Sequence, residues 1–300
     1  MMEFLKRVGW TVLDVAAFLL IAGVIAGLLM MFISFIPGLG VSGDSEILEN
    51  PIELLASFIP LLIGSLISGY IVHLLIFKRD MRLFGIGNSK MFKDYGWGFL
   101  LGGILVFVGF LILRLLGYLD VVGYNFEYNT IALFLLFFVV QSLFEEIAFR
   151  SYLMPALETR FGLWASLLVS SILFALIHLS NSNVAVLGIV NIFLAGLLLG
   201  VLFIKYQNVW VAAGLHCSWN YIQSTILGFE VSGESVFNMI ETEEAGPDFL
   251  TGGAFGFEGS LISVLFLGGL IIYYIKNDPY VMSRLEGMPQ IEDLDQNFTV

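Results

Sequence analysis

Charge is scarce in this chain. Only 13% of its 300 residues are Asp, Glu, Lys or Arg, and 58% are hydrophobic. A soluble domain carries about a quarter charged residues, so a soluble globular fold is excluded. Cysteine is nearly absent: Cys217 stands alone, and no intrachain disulfide can form. Cations are fewer than anions, 13 Lys and Arg against 25 Asp and Glu. The resulting net charge of −12 excludes nucleic acid as a partner.

What fills the chain instead is long apolar stretches. Eight of them, at about 9–35, 55–77, 96–118, 129–150, 162–180, 184–204, 209–229 and 259–275, approach the roughly 20 residues that cross a bilayer. The reading is an all-α polytopic membrane protein, one bundle of about eight transmembrane helices with the lipid bilayer as its partner. Residues 1–128 make three scaffold spans and 129–229 a four-span core. Residues 230–258 form an acidic outer loop, and 259–300 the last span with a tail. The first span lacks the cleavage pattern of a signal peptide and reads as retained.

Basic residues obey a code. With a cytoplasmic N-terminus, the inner segments hold every Lys and Arg except Arg114, which lies inside the third span. The outer segments are acidic, with Asp44, Glu46, Glu49, Glu53, Asp120 and Glu127 besides the loop 230–258. The positive-inside rule therefore puts both termini in the cytoplasm, in a cell (plasma) membrane. Asp14, His73 and Arg114 are isolated polar residues in the scaffold spans and read as helix glue or snorkelling groups.

Several membrane chemistries lack their signatures. There is no HExxH helix and no GxGD. A GxSG match at Gly40-Val41-Ser42-Gly43 sits in a polar loop, with no following apolar helix to display its serine. A proton- or cation-coupled transporter would be expected to carry internal repeats and paired broken helices, and neither is present.

The unusual feature is Glu145, Glu146 and Arg150, directly after the uncharged run 131–143. A charge in hydrocarbon costs about 2.5–3.5 kcal/mol or more. Glu146 and Arg150 are one helical turn apart and can pair, which leaves Glu145, about 100° round the helix, without a built-in cation. It shares its face with Gln141. An antiparallel return near residue 160 brings His178 to within about 5 Å of Glu145 in axial position. His216 and Asn220 share one face of the seventh stretch, and residue counting puts them about 10–18 Å inside the inner surface. Asn191 in the sixth stretch reads as a hydrogen-bonding helper, and Cys217 as inert packing.

A Glu, two His and an Asn around a buried cavity suit addition of water to an amide. Glu145, with His178, takes a proton from water, and His216 and Asn220 donate to the oxyanion. The same residues suit zinc, with Glu145, His178 and His216 as ligands and a fourth position open. No second carboxylate is evident beside either His, which weighs against zinc.

The motifs EExxxR (Glu145 to Arg150), FxxxH (Phe174 to His178) and HxxxN (His216 to Asn220), in that order on successive spans, resemble the CAAX protease and bacteriocin-processing family (CPBP, or Abi). They are similar to those of its type II CAAX prenyl endopeptidases. The resemblance covers roughly residues 129–229. It implies an all-helical intramembrane endopeptidase, with Glu145 and His178 activating water and His216 and Asn220 stabilising the oxyanion; with the convergence of those four residues, the expectation is a site that opens to the cytoplasmic side. Its members were named metalloproteases, and a metal-free glutamate mechanism is also proposed for them, so the cofactor is zinc or none. The substrate implied is a peptide or membrane protein, prenylated only if the host prenylates. The competing expectation is a non-catalytic scaffold or a bacteriocin self-immunity protein.

Overall fold

The computed structural model describes residues 1–36, 50–87 and 89–287. The GxSG match at 40–43 and the acidic tail beyond residue 287 lie outside them. The chain forms α1 (Met2–Ile33), α2 (Pro51–Gly69), α3 (Met91–Leu115), strand β1 (Leu119–Tyr124) and α4 (Tyr128–Glu146). It continues with α5 (Met154–Phe161), α6 (Leu163–Ile177), α7 (Val186–Tyr206) and α8 (Trp210–Tyr221). Strand β2 (Ile240–Glu244), the short α9 (Asp248–Thr251), α10 (Leu261–Asn277) and α11 (Pro279–Leu285) complete it.

Six helical segments of the described residues are long and apolar enough to cross a membrane, and α10 with α11, bent by 84°, would make a seventh. The expected seventh span, 209–229, is instead α8 and a π segment, Ile222–Ile226. It is short because it does not face lipid: every side chain from Val211 to Tyr221 is buried. The eight expected spans are thus an approximate count of an integral membrane protein that is helical apart from one ribbon. In that ribbon β1 pairs antiparallel with β2.

α8 can sit at the centre because α3 and α8 touch backbone to backbone. A Cβ added at Gly98 would collide with the Val211 carbonyl, and one at Gly214 with the Tyr95 carbonyl. Small residues at such a crossing replace the hydrophobic drive that lipid cannot supply. Around this axis pack Leu198, Leu202, Leu215, Trp219 and Phe257.

α4 does not stop at Arg150. It passes through a π segment, Ile147–Leu153, into α5, giving one span from Tyr128 to Phe161. Pro155 in the first turn of α5 has no N–H for the helix ladder, and the ladder shifts register just upstream of it.

The two ends of the bundle differ. One carries Arg79 and Arg160 around Asp14, with Arg7 donating to the Arg160 carbonyl. Asp14 is wholly buried and accepts hydrogen bonds from Arg79, Arg160 and the Tyr152 hydroxyl. It therefore clamps α1, α5 and the segment after α2 together, the helix-gluing role read from the sequence. The opposite end carries the ribbon, the segment 230–258 and Arg114, which reaches out of α3 to Leu119 O and Asp120.

Candidate active site

Glu145, His178, His216 and Asn220 line one cavity of about 250 Å³, together with Gln141, Asn191 and Phe174. The expected convergence of these four residues is therefore present, although they come from α4, the end of α6 and α8.

Arg150, 1% exposed, donates to Glu146 Oε1 at 3.1 Å and to the Gly196 carbonyl at 3.2 Å, and its guanidinium lies 4.6 Å from the Phe174 ring centre. The expected Glu146–Arg150 pair is thus formed. Glu145 bonds no Arg or Lys; Gln141 donates to its Oε1 at 2.5 Å, and its Oε2 is buried with no hydrogen-bond partner. Gln141 also accepts from Asn220 Nδ2 at 3.2 Å, so one amide aligns the Glu and the Asn.

The histidine tautomers follow from their partners. His178 Nδ1 lies 2.7 Å from the Phe174 carbonyl, which can only accept, so Nδ1 carries the proton. The neutral ring then offers Nε2 as a base. His216 Nδ1 lies 2.9 Å from Glu146 Oε1, and its Nε2 lies 3.8 Å from Glu145 Oε2. That second gap exceeds a hydrogen bond and suits one shared water or substrate atom. The Phe174 ring separates the imidazoles, 4.8 Å from His178 and 6.0 Å from His216, centre to centre.

Two expectations need correction. A carboxylate does stand beside His216: Glu146 fixes its tautomer, which residue counting along one helix could not show. The cavity does not border the basic end of the bundle. Its polar wall is Asn181, Ser232, Glu234 and Glu258, all from the acidic end, and His178 directly follows the last residue of α6 at that same end. The cavity therefore lies toward the acidic end of the bundle. Asn191 lines the cavity, but its Oδ1 is buried without a partner, so it is an unused acceptor there and not a bonded helper. Cys217 is buried among apolar residues as expected.

Zinc ligation by Glu145, His178 and His216 is not supported by the arrangement. Among the described residues no group of three or more His, Cys, Asp or Glu side chains has the geometry to hold a metal ion.

Glu258 was missed by sequence reasoning, which left it in the acidic loop. It is only 6% exposed, and Ser232 donates to its Oε2 from the backbone N–H at 2.8 Å and from the hydroxyl at 2.6 Å. Burial pushes its carboxyl above the usual range, opposed by the Ser232 bonds and the nearby histidines. The signal available was a carboxylate inside the apolar, glycine-rich run just before the last span.

Residues 127–222 match the family model described as Rce1-like, type II CAAX prenyl endopeptidase Rce1-like. The chain thus carries an Rce1-like domain over the stretch that holds all three motifs, in agreement with the resemblance those motifs suggested. No curated protein matches the chain.

Proposed function

We propose that the protein is an intramembrane endopeptidase that hydrolyses a peptide bond by Glu145-assisted attack of water. The observation that carries this reading is Glu145 Oε2, a buried acceptor without a partner, 3.8 Å from His216 Nε2 in a cavity that also holds His178 and Asn220. Buried polar atoms are rarely left unpaired, and an orphan carboxylate oxygen facing an imidazole suits a bound water.

In this reading Glu145 takes the proton of the water, and His178, with Nε2 available, is the second acceptor. Attack on the carbonyl builds negative charge on its oxygen. His216 Nε2, once protonated, and the Asn220 amide are the donors for that oxyanion. Glu146 is the orienting group: it holds the His216 ring by Nδ1 and is held in turn by Arg150. No step is routed through a metal, since the donors do not form a ligand set.

The substrate is a peptide or membrane protein; a prenylated chain is a candidate only where the host prenylates proteins. Both termini lie on the cytoplasmic face of the cell membrane, a reading supported by the basic end that α1 and α11 share. The test is Glu145→Gln in proteoliposomes with candidate membrane peptides, with cleavage products read by mass spectrometry. Loss of a general base lowers the rate by about 10²–10⁴-fold. Undiminished cleavage would remove Glu145 from the mechanism. If the unsubstituted chain cleaves nothing, the scaffold or self-immunity reading takes its place.

A further inference from the structure

We propose that Glu258, braced by Ser232 on the loop wall of the cavity, is a subsite for a cationic side chain, lysine or arginine, of the incoming peptide. The proposal rests on the peptidase reading only for the ligand being a peptide.

Glu258 stands outside the matched domain, on the turn Phe257–Gly259 ahead of α10. Both bonds from Ser232 go to Oε2; Oε1 makes no hydrogen bond among the described residues, although the side chain lines the cavity. The brace is itself anchored. Asn181 donates to the Ser232 carbonyl at 3.1 Å, Ser182 N–H to Glu234 at 3.2 Å, and Gly233 N–H to the Phe255 carbonyl at 3.1 Å. Three chain segments thus fix a buried carboxylate of a cavity-lining residue so that one oxygen is spent and the other makes no hydrogen bond.

Two further acceptors point the same way. Glu145 Oε2 and Asn191 Oδ1 are buried in the cavity wall without partners. Glu145, Glu234 and Glu258 line the cavity, and no Lys or Arg does. Arg150 lies behind the wall, committed to Glu146 and Gly196. Each histidine spends its Nδ1–H elsewhere. The wall therefore has a surplus of acceptors and lacks a fixed cation. A desolvated carboxylate is costly until a cation reaches it, and charge-assisted hydrogen bonds are about twice as strong as neutral ones. A lysine or arginine side chain supplies what is missing. A carboxylate from the substrate meets like charge instead.

The experiment uses full-length protein in detergent micelles and three fluorescent, terminally blocked peptides that differ only in one central residue: Lys, Gln or Glu. Binding is read by fluorescence polarisation, so the outcome does not depend on cleavage. The expected order is Lys over Gln by about tenfold, with Glu weakest. Glu258→Gln brings the Lys and Gln peptides to within about twofold, and an unchanged far-UV circular dichroism spectrum reports that the variant is folded. Ser232→Ala, which frees the carboxylate, gives an intermediate preference. Equal retention of the three peptides by the unsubstituted protein, including no retention of any, overturns the proposal. So does a Lys preference that survives Glu258→Gln. Failure of the peptidase reading shows elsewhere, as cleavage unaffected by Glu145→Gln.

Discussion

Replacing Arg150 by methionine removes the buried cation that pairs with Glu146. Its guanidinium satisfies Glu146 Oε1 and the Gly196 carbonyl, and it is 1% exposed, so water cannot take its place. In the variant, Glu146 keeps only the His216 ring. Removing one member of a buried pair costs about 3–5 kcal/mol. Glu146→Gln leaves the Arg150 guanidinium buried without its counter-ion and costs about as much, although the amide still accepts from His216. With both substitutions neither charge remains, and such a double change is often close to neutral. A double-mutant cycle on R150M and E146Q should therefore give a coupling of about 2 kcal/mol or more. The assay is unfolding of the purified protein in mixed micelles titrated with SDS, followed by tryptophan fluorescence. A coupling below about 0.5 kcal/mol would refute the reasoning, because Glu146 would then not depend on Arg150. The division of labour between the two carboxylates would fail with it.

Other outcomes follow from the packing. Gly214→Leu drives a side chain into the Tyr95 carbonyl and should destabilise by at least the usual overpacking cost of about 1–3 kcal/mol, whereas Gly103→Ala meets nothing nearer than Ile222 at 3.7 Å and should be tolerated; thermal scans in detergent separate the two. Asp14→Asn leaves the buried Arg79 and the half-buried Arg160 guanidinium groups short of their counter-ion, and a loss of about 3–5 kcal/mol is expected in the same scans. Burial raises the Glu258 and Glu244 carboxyls, so between about pH 4.3 and their folded values the folded chain holds protons that the unfolded chain has released. Stability therefore falls as pH rises through that window, and Glu258→Gln should flatten the slope of melting temperature against pH.

Much of the candidate site was legible along the chain because helices keep strict periods. The turn that separates Glu146 from Arg150 predicted their pair, and the hairpin near residue 160 put His178 level with Glu145. The bond from Glu146 to His216 was not legible, since it joins residues 70 apart whose approach depends on how closely α8 packs in the bundle. The shortness of the seventh span was hidden for a related reason. An apolar run reads alike whether it faces lipid or other helices, and only the backbone contact of Gly98 and Gly214 shows that α8 is enclosed. Glu258 was invisible because a loop has no period to count.

The sequence by itself determined that this is a membrane-embedded helical bundle with basic and acidic ends and a Glu-His-His-Asn set on successive helices. Those properties follow from hydropathy, charge bias and helical spacing, which are local. Tertiary structure alone decided that the set shares one cavity, that Glu146 orients His216, and that the acidic loop forms the cavity wall with Glu258. Each of these depends on distances between segments far apart in the chain, and close packing, not periodicity, sets such distances.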